Sequence, residues 1–497
     1  MRPTLLAICC AACTAGRESQ PWPVSAMAPQ IEERATGSEG HWVAVSHPRE
    51  LRGVWIASVA NINFPSRTGL DAEAQKAELD GIVDTAAESH LNAIFFQVRP
   101  ELDALYESEI EPWSRYLTGI AGGDPGYDPL GYLLERAHAR AIEVHAWLNP
   151  YRAKQRQSSV AAREHMTLTH PDLAHNYAGG VWMDPGAPVV QDRLVEVVVD
   201  IVRRYEVDGI HFDDYFYPYP DGSEPFPDSR TYTSYQSAGG ELGRHDWRRH
   251  NVNVLVERVA STLKEIAPQV RFGISPFGIY RPGIPAGIVG FDQYDGIFAD
   301  PLLWKSRGWV DYIAPQLYWP STQTPQAYGT LIDWWSQQPD AQRYTFAGIQ
   351  LSKVGSAPAW STIEIQAQIE LSRLQRDRRS LGNIFFHIGP LQQNTLGIRD
   401  LFRDHLFIEP ALSPPVLTDM DRVIAPPELE IKDNEVALTT PDDAFATTLY
   451  RFDNGDWCLL QVLSITERRL SPGPGTWAIA TVGRNMVESL GTVFELP

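Results

Sequence analysis

The chain has 497 residues, enough for two or three domains, and its 43% hydrophobic and 21% charged residues are the proportions of a soluble globular protein. A formal net charge of −20 leaves no basic surface to neutralise phosphates, which excludes a nucleic-acid binder. Of the four cysteines only Cys458 lies beyond the first 13 residues, so the folded part has no disulfide framework.

The first residues, MRPTLLAICCAACTAG, place Arg2 before a short apolar run and then small residues, the pattern of an export signal over 1–13. The run is too short to stay in a bilayer as a spanning helix. Ala11, Ala12 and Cys13 resemble a bacterial lipobox, which predicts lipidation of Cys13 and a membrane-anchored envelope protein; cleavage and plain secretion is the other reading. Residues 14–47, with Pro21, Pro23 and Pro29 among scattered charges, read as a flexible tether.

From residue 50 to 392 strand-like and helical patterns alternate. Strand-like runs fall at 51–59, 93–100, 143–151, 209–216, 271–278, 311–319, 344–352 and 383–391, with helical periodicity at 74–89, 130–141, 190–205, 251–266 and 362–376. Eight such units predict a (β/α)8 barrel over 48–408. A doubly wound open sheet is the alternative, but no Gly-rich phosphate-binding turn follows the first strand. Prolines at 410, 414, 415, 426 and 427 then mark a linker, and short β-type runs without helical period predict a small β-sandwich over 412–497. Its pattern is similar to a fibronectin type III module.

Side chains alternate along a strand, and the helix-facing set must be apolar, so the polar set points inward. That rule sends Gln97, Arg99, His145, Trp147, Asn149, His211, Asp213, Tyr215, Ser275, Gln316, Tyr318, Gln350, Ser352 and His387 toward the barrel interior. Burying so many polar groups unpaired would be prohibitive, so they must meet each other, water or a hydroxyl-rich ligand at the C-terminal mouth. The stretch VDGIHFDDYFYP at 207–218 puts two adjacent acids, Asp213 and Asp214, at that mouth. A turn is the bland explanation, since Asp bonds local backbone where strands end. The segment also resembles the fourth strand of chitinase-type barrels, D-G-x-D-x-D-x-E, but Tyr215 stands where the Glu general acid belongs, so that mechanism does not carry over.

Five stretches in order resemble the bacterial glycosyl-hydrolase-like family ten: ELRGVWIAS near residue 50, FFQVRPELDALYESEIEPWS (95–114), AWLNPYR (146–152), VDGIHFDDYFYP (207–218) and DYIAPQLYWP (311–320). The resemblance implies a barrel, often in an exported lipoprotein, that hydrolyses cell-wall glycan strands stripped of stem peptides. Glycoside hydrolysis needs an acid and a second carboxylate as base or nucleophile. Asp213 is the only inward acid on a barrel strand and the first choice; its partner is Asp214 or Asp103, with Asp214 expected to raise the Asp213 pKa by repulsion. Arg99, Asn149, Tyr151, Arg152, His211, Tyr215, Gln316, Tyr318 and Trp319 are then expected along the sugar path, with Trp113, Trp319 and Tyr217 as stacking platforms. Arg99 or Arg152 is suited to a lactyl carboxylate of muramic acid. No His or Cys spacing forms a metal signature, so neither metal nor cofactor is expected. The competing function is an inactive glycan-binding envelope lipoprotein, favoured by the missing fourth-strand Glu.

Overall fold

The computed structural model describes residues 42–222, 224–338 and 342–497. The expected export signal with Cys13, and most of the tether, lie outside them.

Eight parallel strands form one sheet: β1 (Leu51–Ile56), β2 (Ala93–Arg99), β3 (Glu143–Leu148), β4 (Gly209–Phe212), β5 (Arg271–Ile274), β6 (Tyr312–Ile313), β7 and β8 (Gly382–Phe386). Strand β7 comes in two pieces, Tyr344–Thr345 and Ala347–Ile349. The first piece pairs with β6 and the second with β8, so the break at Phe346 lets one strand reach both neighbours. The pairing of β8 with β1, Gly382 opposite Leu51, closes the ring. The result is the (β/α)8 barrel that the alternation predicts. Strands β1 to β5 are buried along their whole length, as a sheet covered on both sides requires.

Helices return the chain between strands, and their starts are written in the sequence. Asp71 accepts the Ala74 N–H ahead of Ala72–Glu88, Asp128 caps Pro129–His138 with proline in the first turn, and Ser361 caps Thr362–Arg373. The outward residues of the strands, such as Phe96, Val98, Ile210 and Phe212, join the helix faces in the main core.

The interior holds rings where branched aliphatics are usual. Phe95, His145, His211, Tyr312 and Trp55 fill its middle, with the Phe95 and His145 ring centres 4.4 Å apart and His211 stacked on Tyr312 at 5.9 Å. Two glycines make the room. A Cβ at Gly273 would sit 1.9 Å from Tyr312 Cζ, and one at Gly209 would sit 2.3 Å from His145 Nδ1. Polar atoms of this layer bond one another in sequence, leaving His145 Nε2 buried without a hydrogen bond among the described residues. Trp55 Nε1–H donates to His211 Nε2 at 3.2 Å, which leaves the His211 proton on Nδ1, facing the Tyr312 hydroxyl at 3.1 Å. That hydroxyl can then donate to His145 Nδ1 at 3.0 Å.

A second compact unit comprises the described residues up to His47 together with 421–483 and 487–497, while 484–486 belong with the barrel. It is two antiparallel sheets, one of five strands and one of three. They share an apolar core of Val436, Leu438 and Leu470 from one sheet and Leu449, Trp477, Ile479 and Phe494 from the other. Tight hairpins at Asp433-Asn434 and Asn454-Gly455 have positive φ at both positions, the geometry such turns demand. Trp42–Val43, inside the stretch expected to be tether, adds an edge strand against Gly491–Leu496 and so covers an open sheet edge.

Candidate active site

Asp213 follows β4 directly and turns into the mouth, because Phe212 before it packs outward on Phe272 at 5.1 Å. Its Oδ2 accepts from Asn149 Nδ2 at 3.1 Å and its Oδ1 from the Asp214 backbone N–H at 2.9 Å. The asparagine cannot be turned round. Its Oδ1 already accepts from Arg152 Nη2 at 3.0 Å and Gln97 Nε2 at 2.6 Å, and an arginine can only donate. Gln97 is fixed in turn, its Oε1 accepting the backbone N–H groups of Ser58 and Val59, each at 2.9 Å. A line of amides on β2, β3 and the loop after β1 therefore aims one donor at Asp213.

Asp214 is also buried, at 3% exposure, and its Oδ2 accepts from the Tyr219 hydroxyl. Burial, the adjacent Asp213 charge and a hydrogen bond between the two carboxyls raise its pKa well above the carboxylate range, against the pull of Tyr219 and Gln316. The shift favours the protonated form of Asp214 and so suits it to proton transfer. The repulsion between the two acids, expected from the sequence to act on Asp213, raises the Asp214 pKa in the structure.

Around the pair stand amides and rings. Tyr215 is half-buried, with the Arg152 guanidinium 5.1 Å above its ring and Trp182 at 6.2 Å beside it. From beyond β6 come Gln316, Tyr318 and Trp319, all half-buried. Tyr318 lies 6.0 Å from Phe386, and burial together with both aspartates keeps its hydroxyl protonated. Trp319 packs edge-on to Phe277 at 5.6 Å. Such a setting can orient a polyhydroxylated ring, deliver a proton from Asp214 and oppose positive charge with Asp213.

Four expected residues stand elsewhere. Arg99 is 1% exposed and forms a two-pronged ion pair with Glu111, at 2.7 and 2.6 Å, while donating to the Asn149 and Pro150 carbonyls. The reason is a register shift between Gln97 and Arg99, which pairs Arg99 with outward Leu148 and breaks the alternation. Tyr151 is fully buried in the main core, since β3 has ended at Leu148 and the chain turns through Pro150 into a small antiparallel sheet at Arg152–Lys154. His211 is fully buried beneath the mouth in the ring layer, where burial and neighbouring His145 hold its pKa well below the usual range. Tyr217 is core as well, between Phe226 and Phe298.

Asp103 follows β2, two strands along from Asp213, and no hydrogen bond joins the two among the described residues. It borders a hollow lined by Glu101, Trp113, Arg115, Lys154 and His165. Burial first, then the Glu101 charge, push its pKa up to about 7. Glu101 is tied to Arg115 at 3.2 Å, and Asp295 to Arg249 and Arg281, each at 2.7 Å. Tyr219 and Asn63 went unnoticed in the sequence because they lie in irregular loops with no period to read. Among the described residues no group of three or more His, Cys, Asp or Glu is placed to hold a metal ion.

A (β/α)8 barrel with a buried carboxyl pair at its C-terminal mouth, set among amides and half-buried rings, defines a glycoside hydrolase. Residues 50–364 match the family Glycosyl hydrolase-like 10, and the chain belongs to that family. It is similar to the glycosyl hydrolase YngK of Bacillus subtilis, 38% identical over 74% of this chain and 73% of the relative. The glycosyl hydrolase DigH of Escherichia coli K12 is 36% identical over 65% of this chain and 80% of its own. Among solved structures, the PgaB (BpsB) glycoside hydrolase domain of Bordetella bronchiseptica covers 71% of this chain and 98% of its own, at 14% identity and a TM-score of 0.49.

Proposed function

We propose that the chain is an exported enzyme cleaving the amino-sugar glycan strands of bacterial cell walls, with Asp214 as general acid and Asp213 as its partner carboxyl. The observation that carries the reading is the Asp213–Asp214 pair, in which burial and repulsion raise the Asp214 pKa well above the carboxylate range while Asp213 collects N–H donors. Protonation of the leaving glycosidic oxygen is the task such an acid suits. Asp213, fixed by Asn149, then faces the positive charge that develops at the sugar, as base, nucleophile or counter-charge. Arg152 lies beside the same asparagine and is the cation suited to a lactyl carboxylate.

The cell-wall substrate draws its support from the family and from the N-terminal pattern that predicts export and acylation of Cys13. The protein would then act in the envelope on polymer that a cytoplasmic enzyme never meets. The experiment is mass spectrometry of products from purified peptidoglycan glycan strands, with and without stem peptides. New reducing ends from stripped strands are expected. Stoichiometric binding without new ends would replace the reading with that of a glycan-binding lipoprotein.

A further inference from the structure

Strands β4 and β8 lie four apart in the eight-strand ring, so the chain leaving β8 faces Asp213 across the mouth. The first residue after β8 is His387, half-buried. Its Nδ1 is occupied from two sides: the Gly389 backbone N–H donates to it at 3.1 Å, and the Asn63 amide lies at 2.8 Å. Asn63 Oδ1 accepts the Ala57 N–H at 2.9 Å, so Nδ2 is the atom facing the histidine, and Nδ2 can only donate. With Nδ1 an acceptor toward both, the single proton of the neutral ring sits on Nε2. Burial favours that neutral form. Nε2 has no hydrogen-bond partner among the described residues, yet it is not one of the buried unpartnered atoms, so it meets solvent. The Phe386 ring preceding it lies 6.0 Å from Tyr318, which feels the charge of both aspartates, so the end of β8 borders the same cleft.

We propose that His387 is a substrate-contacting residue, a neutral Nε2–H donor to a hydroxyl or N-acetyl oxygen of the bound sugar, and that Asn63 is the positioning residue that sets its tautomer. The proposal rests on the carbohydrate reading of the mouth. A histidine that served only packing would have no reason to keep one nitrogen doubly bonded and the other open.

The test uses the full chain carrying Asp213→Asn, which is expected to bind without turning over, and purified glycan strands as probe. Adding His387→Ala should weaken binding roughly three- to tenfold, the range for one lost hydrogen bond to ligand. His387→Gln, whose amide nitrogen reaches the place of Nε2, should recover most of it. Nitrogen-15 spectra of histidine-labelled protein should show an Nε2–H tautomer for the His387 signal at pH 7. Asn63→Asp should convert that signal toward the charged ring. Unchanged binding by His387→Ala, or an Nδ1–H or charged ring in the parent protein, overturns the assignment. If the parent protein binds no glycan at all, the carbohydrate reading falls and takes this contact with it; binding that survives His387→Ala removes only the histidine.

Discussion

Replacing Asp103 by Asn should stabilise the barrel in a pH-dependent way. Asp103 is 6% exposed, and its pKa stands at about 7 against 3.8 for an unburied aspartate. Below about pH 4 both folded and unfolded chains hold the proton, so the group costs nothing there. As pH rises toward 7 the unfolded chain ionises while the folded one does not, and stability falls until the folded carboxyl also ionises. At 1.36 kcal/mol per pKa unit the full difference is about 4 kcal/mol, and sharing with neighbouring Glu101 reduces it to roughly 2–4 kcal/mol. Asparagine keeps the Oδ1 that accepts the Glu101 N–H at 2.9 Å and removes the titration. For a unit of this size that is roughly 3–6 °C in Tm. Thermal melts of both proteins from pH 4 to 8 should coincide at the acid end and separate with rising pH. A gap that is absent at pH 8, or equal at every pH, would refute the buried, protonated Asp103.

Two further outcomes are expected. Tyr219→Phe removes a donor that favours ionised Asp214, so the Asp214 pKa should rise further and the basic limb of the kcat/KM profile should move to higher pH. A limb that moves downward or stays put would take Asp214 out of the acid role. Glu111→Gln leaves the Arg99 charge buried without its partner and should cost about 3–5 kcal/mol, read as a lowered Tm; a melt within a degree of the parent would show that the pair contributes little.

The barrel was legible because short strand-like runs recur along the chain with helical periods between them. The parity argument correctly set Gln97, Asn149 and Asp213 inward, and these three form one hydrogen-bonded line. It failed at Arg99 because a register shift at the end of β2 inserts a residue that no sequence rule marks. It failed at Tyr151 because Pro150 redirects the chain out of the barrel. The raised pKa of Asp214 was out of reach for a different reason. Adjacent carboxyls in a sequence say that one will be perturbed, and the burial of Asp214, which outweighs the opposing Tyr219 contact, appears only in the fold. His387 was placed inward by parity, but its tautomer depends on Asn63, which is 324 residues away in the chain.

The central claim is that the Asp213–Asp214 pair carries out the chemistry, and Asp213→Asn tests it most directly. The change keeps the shape of the side chain and an oxygen for one of its N–H donors while removing the charge. Release of new reducing ends from stripped glycan strands, followed by mass spectrometry, should fall by about 10²–10⁴-fold, the scale of acid–base catalysis, in protein that still melts cooperatively and still binds glycan. A folded Asp213→Asn protein that melts at lower temperature yet releases products at the parent rate would show that the pair shapes a turn and that the chemistry lies elsewhere on the rim.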